Sequence, residues 1–139
     1  MKITVDVNVL LDVAQHRLPH FPASEEVLHR ARAGEYAAVL PGHAVTTLHY
    51  IIEKSSSTEF ANQVIDGLLS DFVVYSSDKV NFLRARQLHL KDFEDAVVAS
   101  VAEATGCDYI ITRNAPDFAD SPIPALEPAK FLEILAMIQ

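Results

Sequence analysis

The chain has a single cysteine, Cys107, so no intramolecular disulfide can form and a reducing compartment is favoured. Cys107 itself reads as a small buried residue just before a strand. No apolar run approaches the length of a membrane span, and Met1-Lys2 leads straight into an acidic strand without the apolar stretch of a secretion signal. The expectation is a soluble, cytoplasmic protein with no membrane partner. Positive charge is also scarce: 11 Lys and Arg against 19 Asp and Glu leave a net charge of −8. That balance excludes nonspecific, high-affinity attachment to a polyanion, which needs clustered Lys and Arg. It leaves room for an enzyme that touches few phosphates, with Arg84, Arg86, Lys91 and Arg113 either grouped on one face or dispersed as solvated surface charges. Repeats, low-complexity tracts and linkers are missing too. With 139 residues, 50% of them apolar, the chain suits one compact domain spanning 1–139.

What is present is an alternation of short β-type runs and helical stretches. Residues 2–5 read as a first strand, 37–40 as a second ended by Pro41-Gly42, 72–75 as a third, 108–112 as a fourth, and a short fifth lies near 123–126. Helices are expected over 23–32 with Ser24 or a neighbour as cap, from Ser55-Ser56-Ser57-Thr58 to Leu69, from Ser77-Asp78 to near Leu88, over 93–105, and from Pro128 onward. In the fourth of these, Phe93, Ala96, Val97, Ser100, Val101 and Ala104 share one face, and Gly106 stands where a helix stops. The alternation predicts an α/β fold: a three-layer α/β/α sandwich around a mainly parallel sheet of about five strands.

Three acidic clusters fall at the ends of these elements: Asp6 after the first strand, Asp92, Glu94 and Asp95 at a helix start, and Asn114 with Asp117 after the fourth strand. Residues at the carboxyl ends of parallel strands converge on one crevice. Carboxylates gathered there repel unless a divalent cation lies between them, and oxygen-rich sites select Mg²⁺ or Mn²⁺. The pattern points to metal-dependent phosphodiester chemistry. Asp6 is also a natural N-cap, and Asn8 suits a role orienting Asp6 or a water. Asp12 reads as a surface or helix-exit residue, Asp92 as a cap, and Glu94 as solvent-facing. Asp95, one turn into an otherwise apolar helix, would be costly if buried without a partner. Thr112 and Asn114 can hold a water by hydrogen bonds, although Asn114-Ala115-Pro116-Asp117 also has the composition of a simple turn.

The D-x-N-V-L-L-D run from Asp6, the K-D-F-E-D-A run from Lys91 and the I-T-R-N-x-x-D-F run from Ile111 together resemble the PIN-domain nucleases, over essentially the whole chain. The resemblance implies a metal-dependent ribonuclease that hydrolyses single-stranded or structured RNA, found both in RNA processing and as the toxin of toxin–antitoxin pairs. It assigns Asp6, Asp95 and Asp117 as metal ligands, places Asn114 with them in the catalytic set, and leaves Asn8, Thr47, Asp92, Thr112 and Arg113 to support the site or the substrate, Arg113 or a nearby Lys by stabilising transition-state charge. RNA and an antitoxin protein are the implied partners.

One departure stands out. Active members usually carry an acid where this chain has Thr47, and Glu53, six residues on, points away from it. His43, one turn before Thr47, reads as a polar neighbour of a helix start. His16, His20, His29 and His89 show no ligand spacing. The missing carboxylate leaves a second reading open, a PIN-like domain that binds RNA or a protein partner without cleaving. An Asp-nucleophile phosphotransferase would need an acid at Asn8, and a response receiver would need an acceptor Asp after a central strand and a late Lys where Arg113 stands. Apolar residues beyond one core-facing stripe, namely Phe60, Val64, Leu68 and Leu69 with Phe82, Leu83 and Leu88, predict a homodimer.

Overall fold

The computed structural model describes residues 1–139. Five strands, β1 (Lys2–Val5), β2 (Ala37–Pro41), β3 (Val73–Tyr75), β4 (Tyr109–Ile111) and β5 (Ala125–Leu126), form one sheet in the order β3-β2-β1-β4-β5. Every pairing is parallel, with Thr4 opposite Val39 on one side and Val5 opposite Ile111 on the other. Seven α-helices complete the chain: α1 (Val7–Ala14), α2 (Phe21–Arg32), α3 (Gly42–Ser55), α4 (Thr58–Asp71), α5 (Lys79–Gln87), α6 (Phe93–Ala104) and α7 (Pro128–Ile138). The predicted α/β sandwich is the fold observed.

Alternation along the strands decides which layer each side chain enters. Ile3, Val5, Ala38, Leu40 and Ile111 share a core with residues of α1, α2, α3, α4 and α7, whereas Val39 and Ile110 pack with Val98, Ala99, Val101 and Ala102 of α6. Thr4, completely buried between these apolar residues, donates its hydroxyl to the Val39 carbonyl at 2.8 Å, which removes the cost of burying it.

Local signals explain most helix boundaries. Ser57 caps α4 through Phe60 N–H. Asp78 caps α5 in a reciprocal box with Asn81. Asp92 caps α6 through Asp95 N–H at 3.0 Å. Gly106, with φ +69°, follows α6 in the left-handed conformation that stops a helix. Gly42 starts α3 where a Cβ would stand 3.2 Å from the Tyr75 carbonyl oxygen, so the helix begins pressed against the end of β3.

Three expectations need correction. Helix α2 begins at Phe21, and Ser24 is not its cap but a buried residue whose hydroxyl donates to Asp12 Oδ2 at 3.3 Å. Helix α6 buries Ala96 to Ala102 continuously while Phe93 and Ala104 are exposed, because α5 covers the side that the sheet does not. Among the residues expected at a dimer face, Leu68 is in the core, Val64 packs against it, and Leu88 packs against the apolar cluster of α6 on the other side of the sheet. Phe60, Leu69, Phe82 and Leu83 are exposed. No helix is long and apolar enough to cross a membrane.

Candidate active site

From β1 the chain moves outward through β2 to β3, then returns to place β4 on the other side of β1. The strand order therefore reverses between β1 and β4, and the crevice beyond their carboxyl ends is where such sheets bind ligands. Asp6 follows β1 and Thr112 follows β4. The register that pairs Val5 with Ile111 brings them side by side.

Asp6 is 5% exposed and fully engaged. Its Oδ1 accepts Val7 N–H at 2.8 Å, capping α1, and its Oδ2 accepts the Thr112 hydroxyl at 2.9 Å and Asn8 Nδ2 at 3.4 Å. The Thr112 oxygen in turn accepts Asn8 Nδ2 at 3.3 Å and Asn114 N–H at 3.1 Å, while Asn8 Oδ1 accepts Arg113 N–H at 3.2 Å. The cap and site readings of Asp6 are thus compatible, because each oxygen has its own task. Burial pushes the Asp6 carboxyl above the ordinary range, and the Thr112 and Val7 hydrogen bonds oppose that rise.

Asp95 enters from the first turn of α6. Its carboxyl is pushed up to about 7, by burial first and then by the negative fields of Asp6, Asp92, Asp117 and Glu94. Three elements therefore direct mutually repelling charge at one place. A cleft of about 500 Å³ opens there, lined among others by His89, Lys91, Asp92, Asp95, Asn114 and Asp117. Asp117 sits in the 3₁₀ turn Ala115–Phe118, its N–H bonded to the Asn114 carbonyl at 2.9 Å, so this segment is both a turn and a wall of the cleft.

The donors suit a hard divalent cation. They are carboxylate oxygens, and the charges of Asp6, Asp92, Asp117 and Glu94 all bear on Asp95. No three acidic, His or Cys side chains are grouped tightly enough to enclose an ion. Magnesium-type sites do not need such a cage, since they use one or two carboxylates and complete the shell with water and phosphate.

Sequence reasoning misplaced several groups. Asp12, expected at the surface, is completely buried, with Arg113 Nε 2.8 Å from its Oδ2. The Nε–H is not aligned for a hydrogen bond and Asp12 Oδ1 accepts nothing, so the contact is chiefly one of charge. The Arg113 guanidinium is thereby directed to Asp12, away from the role of stabilising transition-state charge. Arg84 is likewise committed, holding Glu103 through two bonds of 2.7 and 3.0 Å. Of the four candidate basic residues, Lys91 alone lines the cleft. Thr47 shares a groove with His43, Phe93 and Glu94, so this part of α3 does face the first turn of α6. Glu94 is half exposed, as expected, but its charge also acts on Asp6 and Asp95.

The PIN domain pattern matches residues 2–115. The chain belongs to the PIN-domain family. Asp6, Asp95 and Asn114 fall inside the matched residues, and Asp117 lies just beyond them. A relative, Ribonuclease VapC1 of Aquifex aeolicus, is 24% identical over 136 residues, covering 95% of this chain and 94% of that protein. Two solved structures show the same fold. VapBC2 from Rickettsia felis, bound to a promoter DNA fragment, superposes with a TM-score of 0.72 at 16% identity, covering 91% of this chain and 98% of that one. VapC20 of Mycobacterium tuberculosis, described as a toxin that cleaves the sarcin–ricin loop, gives a TM-score of 0.63 at 13% identity over 78% of this chain and 86% of that one.

Proposed function

We propose that this PIN domain is an endoribonuclease that hydrolyses RNA phosphodiester bonds with Mg²⁺ or Mn²⁺, and that it is the toxin of a toxin–antitoxin pair. The observation that carries the reading is the acidic site at the β1/β4 switch point, where the charges of Asp6, Asp92 and Asp117 push up the Asp95 carboxyl beside a cleft that Asp95 lines together with Asn114 and Asp117. The relative named Ribonuclease VapC1 supports the activity, and the VapBC2 structure of the same fold supports an antitoxin partner. Asp6, Asp95 and Asp117 would hold the cation. When bound, it neutralises scissile-phosphate charge and makes an attacking water more acidic.

The protein's own groups then have defined tasks. Thr112 and Asn8 fix the orientation of Asp6 Oδ2, so that carboxylate needs no rearrangement when substrate arrives. Asn114 is held by its backbone to Thr112 and lines the cleft beside Asp117. Asp92 supports the site by capping α6 and so holding Asp95 in place. Lys91, at the cleft, is placed to meet a phosphate oxygen. The scarcity of other free cations there limits nonspecific RNA affinity.

The rival reading, a domain that binds without cleaving, is favoured by Thr47. The two are separated by incubating single-stranded RNA with the protein and millimolar Mn²⁺: cleavage that Asp6→Asn abolishes is expected, and an intact substrate with wild-type protein would establish the binding-only reading. The same cation should raise the melting temperature of wild type and leave Asp6→Asn nearly unchanged. A cytoplasmic location fits these partners.

A further inference from the structure

We infer that Glu94 supplies, from the first turn of α6, the carboxylate that this chain lacks at Thr47, with His43 positioning it. The inference rests on the reading of the acidic cleft as a cation site. Its first support is placement. Thr47 and His43 stand one turn apart on α3, and Glu94 reaches the same groove of about 220 Å³ from the opposite wall, so it delivers an acid to the region from which Thr47 has withdrawn one. The acid within α3 itself is unavailable, because Glu53 accepts the Thr58 hydroxyl at 2.9 Å and so faces α4.

Its second support is the state of His43. The Nε2 atom is buried without a hydrogen-bond partner and lies 3.7 Å from Glu94 Oε1. That separation is too long for a hydrogen bond, and a shift of less than about 1 Å would close it. The orphaned nitrogen is thus the nearest group on α3 that can anchor the half-exposed Glu94 carboxylate. Its field already reaches both Asp6 and Asp95. Asp95 lines the 500 Å³ cleft, while Glu94, its neighbour and 100° away around the helix, lines the groove against α3.

The test measures Mn²⁺ binding to the full chain by titration calorimetry and melting temperature with and without Mn²⁺. Glu94→Gln should weaken Mn²⁺ binding by about tenfold or more. The same substitution should raise the melting temperature of the metal-free protein, because one like charge beside Asp95 is gone, an effect that a merely structural residue would not produce. Thr47→Glu in the Glu94→Gln background should restore most of the lost affinity, and His43→Ala should weaken it by less than Glu94→Gln. Wild-type Mn²⁺ affinity in Glu94→Gln, alongside lost affinity in Asp6→Asn, would overturn the role of Glu94 alone. Unchanged affinity in Asp6→Asn would instead overturn the cation site itself, and Glu94's role with it.

Discussion

At the scale of single residues, the protonation of Asp95 sets how stability and metal binding vary with pH. Its carboxyl titrates at about 7 in the folded chain against 3.8 as an ordinary aspartate. Between those values the folded state keeps a proton that the unfolded state has released, so the contribution is complete below pH 4 and is lost as pH rises toward 7. In the presence of a chelator, wild type should melt at a higher temperature at pH 5 than at pH 7.5, and Asp95→Asn should flatten the difference while stabilising the metal-free protein at the upper pH. Asp6, also raised by burial, acts in the same direction. Stabilisation by Mn²⁺ should grow through the same window, because the cation must displace the proton. Identical melting profiles of wild type and Asp95→Asn across this range would contradict the raised carboxyl. The sequence made Asp95 suspicious through a simple argument, an acid on an apolar helix. It could not reveal Glu94's second face, since that depends on α3 lying beside α6, a contact between residues some fifty positions apart.

At the scale of elements, α1 is clamped to the end of β4 by one residue. Arg113 gives its backbone N–H to Asn8 and its guanidinium to Asp12, and these two side chains are four apart on α1, hence on one face. Measured from Asp6, Asp12 seemed to point outward; counted from Asn8, it belongs to the same stripe, and that spacing was the signal available in the sequence. What the sequence could not supply was the partner, which arrives from a hundred residues away. Removing Arg113 leaves the completely buried Asp12 without its counter-charge. Arg113→Ala should therefore destabilise the fold by about 3 kcal/mol, the lower end for a broken buried pair because the guanidinium is itself 27% exposed. Asp12→Asn combined with Arg113→Ala should cost less than Arg113→Ala alone. Urea unfolding measures both, and a single variant within about 0.5 kcal/mol of wild type, the range of an ordinary surface substitution, would show that the pair does not hold α1. By contrast, caps at Ser57, Asp78 and Asp92 were legible in advance, because each is a local hydrogen bond between neighbours in sequence.

At the scale of the whole molecule, strand content and parallel pairing followed from the alternation of elements, while the order β3-β2-β1-β4-β5 did not, because pairing depends on where each crossover helix returns the chain. The site inherits that order: only the neighbourhood of β1 and β4 joins Asp6 to Thr112. The surface poses the remaining question. With Leu68 in the core, the expected dimer face is reduced to Phe60 and Leu69 on α4 and to Phe82 and Leu83 on α5, the last pair extended by the exposed Val80 and by Phe93, whose ring lies 6.4 Å from that of Phe82. We propose that the α5 group is the homodimer contact, since large apolar side chains clustered in the open are what association covers. Light scattering at micromolar concentration should give twice the mass of one chain, and Leu83→Glu, which places a charge in the middle of the patch, should give the single-chain mass without loss of helix content. Phe60→Glu on α4 should leave the dimer intact. A wild-type chain that scatters as a monomer would remove the dimer, and dissociation by Phe60→Glu rather than Leu83→Glu would move the contact to α4.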